Sequence, residues 1–245
     1  MVYAYLQMAR DADARKIIEE TRPLLSTLNP AVQAGYYALA AMPARYAVER
    51  GDWSGANKLQ PGDSKFPWVQ ALTYFTRALG AARSGDPATA EKDMQQLTSI
   101  RDALRAAKNN YWATEVEVNR LGAAAWIALA QGKKDEALNL MRAAADTEDR
   151  NEKHIVTPGR ILPARELLGD MLLELKRAAE ALKEFEASAQ REPNRFRGLA
   201  SAAQAAAQAG DPAKARQYYA QLVELAGNGD PRPELARAKA YLAQR

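Results

Sequence analysis

Residues able to do chemistry are few in this chain. Its 245 residues include no cysteine and one histidine, His154, preceded by Lys153. Without thiols there is no disulfide scaffold, thiolate zinc site or cysteine nucleophile. One imidazole cannot serve both a serine relay and a metal. A His–Lys–Ser set could be drawn from His154, Lys153 and Ser64, but the stretches around them hold neither a nucleophile motif nor an oxyanion signature. Glu115 and Glu117 stand two apart, as do Glu184 and Glu186, so each pair points to different faces of a helix. There is no Asp-x-Asp-x-Asp-Gly loop and no His-Glu-x-x-His, and Gly227-Asn228-Gly229-Asp230 lacks the lysine and the preceding strand of a phosphate loop. The expectation is a protein that is no enzyme and takes no metal or cofactor.

Charge excludes further classes. The net charge is +4, and nine Lys/Arg against five Asp/Glu from Arg191 to Arg245 account for all of it. A nucleic-acid binder wants a dense basic stripe; here arginines alternate with Glu and Ala in the manner of solvated helix surface. No apolar run reaches the length of a membrane span, and Met1–Arg10 is not a basic segment followed by an apolar one. A cysteine-free chain suits cytoplasm and periplasm equally, with cytoplasm the default.

The elements that must position any site are helices. Alanine is about a fifth of the chain and is the best helix former, and strand-like alternation is almost absent. The breaks recur in one form: Gly51-Asp52, Gly85-Asp86, Gly132-Lys133 and Gly210-Asp211. Glycine ends a helix in the left-handed conformation, aspartate caps the next, and Pro87 and Pro212 fall at the first helical position. An alanine follows each break by five residues: Ala56, Ala90, Ala137 and Ala215. Ala9 leads to Ala14 and Lys176 to Ala181 at the same offset without glycine. Successive alanines are 42, 34, 47, 44 and 34 residues apart. Small side chains at these places let antiparallel helices approach closely.

Leu168-Gly169-x-x-Leu172, Ala181-x-x-x-Phe185 and Pro193-Asn194 together resemble the tetratricopeptide repeat signature, with Arg165 where its leading Trp would stand. Two of the alanine intervals equal the 34-residue period of that family. The resemblance covers nearly the whole chain. It implies an all-α, right-handed superhelix of five to six helical hairpins, over residues 1–26, 31–60, 68–108, 111–146, 161–192 and 196–226, with a capping helix over 231–244. The whole, 1–245, reads as a single array. The second hairpin is degenerate, with Pro43 in its first helix and a short second helix ending near Pro61. The chain is similar to the C-terminal portion of large bacterial tetratricopeptide proteins. Met1 falls within a first helix, so the first hairpin is expected to lack a packed neighbour and to open first.

By the same resemblance, first helices line a concave groove that binds a protein or peptide partner. Groove positions would be Arg45, Phe75, Arg83, Asn119, Trp126, Glu166, Asp170, Arg197 and Gln204, with Arg83, Trp126 and Arg197 as anchors and Glu166 and Asp170 setting polarity. Ala38, Ala41 and Arg45 replace the Lys/Asn pattern of members that clamp acidic tails. The implied function is a scaffold or adaptor, or else the regulatory or assembly portion of a longer protein. Two insertions, Gln60–Trp68 and Thr147–Gly159, form a second candidate surface on one edge through Phe66, Trp68, Lys153 and His154, or else tuck their apolar residues back onto the helices.

Overall fold

The computed structural model describes residues 1–29, 31–152 and 160–244. Lys153 and His154 lie outside the described residues. Those described are helical, without a strand: α1 Val2–Gln7, α2 Asp11–Thr21, α3 Gln33–Glu49, α4 Trp53–Asn57, α5 Pro67–Arg83, α6 Pro87–Ala106, α7 Asn110–Ala130, α8 Lys134–Arg150, α9 Ala164–Glu174, α10 Ala178–Arg191, α11 Phe196–Gln208, α12 Pro212–Ala226 and α13 Pro233–Ala243. A 3-10 turn, Arg22–Ser26, follows α2. This is the expected all-α fold of helical hairpins.

The hairpin turns follow from local chemistry. Gly51, Gly85, Gly132 and Gly210 adopt φ of 64°, 82°, 80° and 81°, and Ala9 and Lys176 adopt 53° and 63° at the two breaks lacking glycine. A left-handed residue closes each first helix, at a small conformational penalty where a side chain is present. The Asp52, Asp86 and Asp211 carboxylates accept the Gly55, Thr89 and Lys214 N–H groups, holding the starts of α4, α6 and α12. All six offset alanines, Ala14, Ala56, Ala90, Ala137, Ala181 and Ala215, are wholly buried. The helices meet there because no larger side chain intervenes. A Cβ on Gly169 would come within 2.6 Å of the Phe185 ring, so α9 and α10 meet on that glycine.

The chain divides into two units, Met1–Ile17 with Arg165–Arg245, and Ile18–Ala164. In the first, Phe196, Leu199, Ala203, Tyr219, Leu222 and Leu235 form the core. Residues 1–17 of the first hairpin are part of this unit, contrary to the expectation that the hairpin lacks a neighbour. Arg232 makes a buried ion pair with Asp11, donates to the Leu6 carbonyl at 3.1 Å and lies 4.4 Å over the Phe196 ring. The Phe196 N–H donates to Gln7 Oε1 at 2.7 Å, the Asp230 N–H to the Ala9 carbonyl at 2.7 Å, and the Ala12 N–H to the Asp230 carboxylate at 2.8 Å.

In the unit Ile18–Ala164, α3 packs on α4 and α5, α5 on α6 and α7, and α7 on α8. α4 is only five residues long against seventeen for α3. A Cβ on Gly80 of α5 would lie 2.6 Å from the Trp53 carbonyl oxygen, so α5 sits tightly against that stub. α8 continues through Arg150, beyond the helix end near 146 set by the sequence reading, because Glu148 faces inward. Its carboxylate accepts the Ala164 N–H at 2.7 Å and pairs with Arg160 Nε at 3.0 Å.

Candidate functional site

Each sequence-derived groove residue has a definite place. In the unit Ile18–Ala164, Trp126 of α7 is 2% exposed and Phe75 of α5 is equally buried, its ring against Gly122. Neither offers surface to a peptide, which corrects their placement in a groove: apolar side chains on Ala-rich helices fill the gaps between hairpins. Arg83, at the end of α5, is half-buried, with its guanidinium carbon 4.0 Å from the Trp126 ring centroid and 4.3 Å from that of Trp53. Arg45 is also buried, donating from Nη2 to the Arg160 carbonyl at 2.9 Å. Asn119 is half-buried beside Tyr37, Trp68 and Trp112 around a small polar-edged gap.

The polar groove candidates of the other unit already face internal partners. Glu166 is buried and accepts from Arg195 Nε at 2.7 Å. Asp170 pairs with Arg197 at 2.5 Å and accepts from Ser201 Oγ at 3.3 Å. Gln204 Oε1 accepts from Arg237 Nη1 at 2.8 Å. A partner would have to displace these bonds, and side chains already paired have less to gain from a new one.

The aromatic residues of the first insertion turn inward. Phe66 lies edge-on to Tyr36 at 6.0 Å and 5.4 Å from Trp68, which stacks on Trp112 at 5.1 Å with an interplanar angle of 6°. Below them Arg160 is held by the Glu148 carboxylate and by the Glu148 and Asn151 carbonyls, at 3.1 and 2.8 Å, while Asn151 Nδ2 donates to Glu115 at 2.6 Å. Burial raises the Tyr37 phenol far above its ordinary value, Arg45 opposing. This polar knot is internal, tying α3, α7 and α8 to the segment leading into α9.

An open surface occurs where none of the sequence-derived site residues lies, although the start of the first insertion borders it. Beside α3 runs a cleft whose larger lobe has a volume of about 310 Å³, lined by Ile18, Leu25, Leu39, Met42 and Leu59, with Arg22 and Lys58 at the edge. A smaller lobe of about 160 Å³ continues past Tyr36 to Asp63. Leu39, Met42 and Pro43 are spaced i, i+3, i+4, one helical stripe, and all three are only half-buried. Leu24 and Leu25 on the 3-10 turn are 49% and 37% exposed. Pro43, inside α3, has no N–H to give the Leu39 carbonyl. The cause is α4: a second helix of five residues cannot cover a first helix of seventeen.

No protein-family model matches the chain, and no curated protein matches it. A chain of the crystal structure of the APC/C hetero-tetramer Cut9-Hcn1 matches with a TM-score of 0.41 and 12% identity, over 97% of the present chain and 46% of that chain. The present chain thus spans less than half the length of that one, and a likeness this loose bears on neither partner nor activity. The hairpins do carry the left-handed turns and the buried small residues expected of them from the sequence.

The signal for the cleft was present in the sequence. From Gln33 to Ala44 no charged residue occurs, so the first three turns of α3 carry no charge on any side. Such a helix is ordinarily buried all round, and the hairpin partner beside it is the degenerate one. Among the described residues, no group of three or more carboxylate or histidine side chains is placed to hold a metal, and no helix is long and apolar enough to cross a membrane.

Proposed function

We propose that the chain is a protein-interaction scaffold that holds a segment of a partner protein on the uncovered stripe of α3, rather than in the groove of its first helices. The observation that carries this reading is the half-buried stripe Leu39, Met42, Pro43, flanked by exposed Leu24 and Leu25, which stays open although Ala56 closes the crossing of α3 with the short α4. Burying apolar surface contributes about 25 cal/mol per Å² removed from water, and partner segments commonly lie in such grooves as helices. The internal pairing of Asp170 with Arg197 and of Glu166 with Arg195 favours the cleft over the groove.

Photo-crosslinking separates the two surfaces. With a photoreactive residue in place of Leu25, irradiation in native extract is expected to give a defined adduct. The same residue in place of Gln204 on α11 is expected to give none. An adduct from position 204 alone would return the site to the first-helix groove.

A further inference from the structure

We infer that the occupant of the α3 cleft is a short amphipathic helix with acidic side chains at the end lying against Arg22 and Lys58. This rests on the cleft reading above and adds the chemistry of the partner. The helical form comes from what is missing. In the adjacent hairpin the second helix α6 has twenty residues. Here α4 stops after five, and the open stripe at 39, 42 and 43 is the spacing against which another helix packs. A helix presenting apolar residues at i, i+3, i+4 and i+7 would supply what α4 does not.

The acidic character comes from charge. Arg22 and Lys58 are both exposed at the larger lobe, and no carboxylate lines that lobe. Many of the described arginines are paired internally, among them Arg77 with Asp93, Arg101 and Arg120 with Glu117, Arg160 with Glu148, and Arg165 with Glu184. Among the described residues, the side chains of Arg22 and Lys58 have no ion-pair or hydrogen-bond partner. Arg22 reaches the smaller lobe as well, where Asp63 stands, so Lys58 and the absence of a lining carboxylate make the larger lobe the more positive end. An acidic end placed at Arg22 and Lys58 is therefore attracted, whereas a basic end there is repelled.

Two synthetic helical peptides of about 14 residues, a length at which isolated helices become marginally stable, test this. Both carry leucine at i, i+3, i+4 and i+7; one is flanked by glutamate at one end, the other by lysine. Fluorescence anisotropy against the full chain at low salt is expected to show the glutamate peptide binding about tenfold tighter, a difference of about 1.4 kcal/mol. That preference is expected to vanish in Arg22→Glu/Lys58→Glu, and Leu25→Asp is expected to abolish binding of both. Equal binding of the two peptides, or a preference that survives the double substitution, would overturn the acidic partner while leaving the cleft in place, provided Leu25→Asp still abolishes binding. Binding indifferent to Leu25→Asp, or no binding of either peptide at about 1 mM, would overturn the cleft itself. Binding of anionic phosphatidylglycerol vesicles, with neither peptide bound, would make the cleft a lipid site and overturn the inference.

Discussion

The guanidinium carbon of Arg83 lies 4.0 Å from the ring centroid of Trp126, and the ring of Trp53 lies 4.3 Å away from the same carbon. A cation over the electron-rich faces of two indoles is attracted to both, and Arg83 also ends α5, where a positive charge complements the helix dipole. From sequence alone, both residues of the closer pair look like anchors for a peptide. Their contact is with each other, and it ties α5 to α7.

Trp126→Ala is accordingly expected to lower stability by about 3–5 kcal/mol, the usual effect of emptying a large buried aromatic site. Arg83→Ala is expected to lower it by about 0.5–2 kcal/mol. Denaturant unfolding reads both, and a double-mutant cycle isolates the contact between them. A Trp126→Ala chain that unfolds at the wild-type denaturant concentration would contradict the burial of this ring.

The repeat register makes its own prediction. Ala181 is wholly buried where α9 and α10 cross, and Gly169 faces the Phe185 ring of the same pair. Ala181→Leu overpacks the crossing and is expected to lower stability by about 1–3 kcal/mol. Ala207→Leu, on the exposed side of α11, should change it by less than about 0.5 kcal/mol. Thermal melts of the two variants that coincide would contradict the register.

The first hairpin provides a third. Removing one member of a buried ion pair costs about 3–5 kcal/mol, because the other charge is left buried. Arg232→Ala is therefore expected to release residues 1–17 to fast hydrogen exchange, whereas in the parent chain their protection should approach that of α11 and α12. Fast exchange over residues 1–17 in the parent chain would show that the contacts of Asp11, Gln7 and Asp230 do not hold the hairpin.

Tyr218 gives an alkaline signature. Burial, with the hydrogen bond its hydroxyl donates to Glu186 at 3.0 Å, raises its phenol from 10.0 to about 12. The folded state thus holds this proton more tightly than the unfolded chain. The stability it contributes is fully present below pH 10 and is lost as pH rises through about 12. Tyr218→Phe is expected to flatten that part of the pH–stability curve and to remove a tyrosinate absorbance step near pH 12. If the step missing from the variant's titration lay at pH 10, the shift would be refuted.

What the sequence made legible was local. The left-handed residues at Ala9 and Lys176, which lack the glycine of the other breaks, were located from the five-residue offset to a buried alanine alone. What it hid depends on residues far apart. Arg232 and Asp11 are 221 positions apart, and Asp170 and Arg197 are 27 apart on different hairpins, so nothing in either local pattern announces the pairing. The inward turn of Glu148, which carries α8 to Arg150, answers to Arg160 and Ala164. Trp126 was misplaced because an apolar residue on an Ala-rich helix carries the same spacing whether it meets a ligand or a neighbouring hairpin. The cleft was passed over because a degenerate hairpin was read as a weakened repeat, not as an uncovered helix.

The most direct measurement exploits the absence of cysteine from the chain. A single thiol introduced as Met42→Cys reports on the open stripe of α3, and one introduced as Ala207→Cys reports on an exposed position of α11. With the partner recovered by crosslinking at saturation, thiol labelling at position 42 is expected to slow by about tenfold or more, the mark of a site occupied most of the time, while labelling at position 207 stays unchanged. Unslowed labelling at position 42 with the partner bound would contradict the α3 cleft as the place where this protein holds its partner.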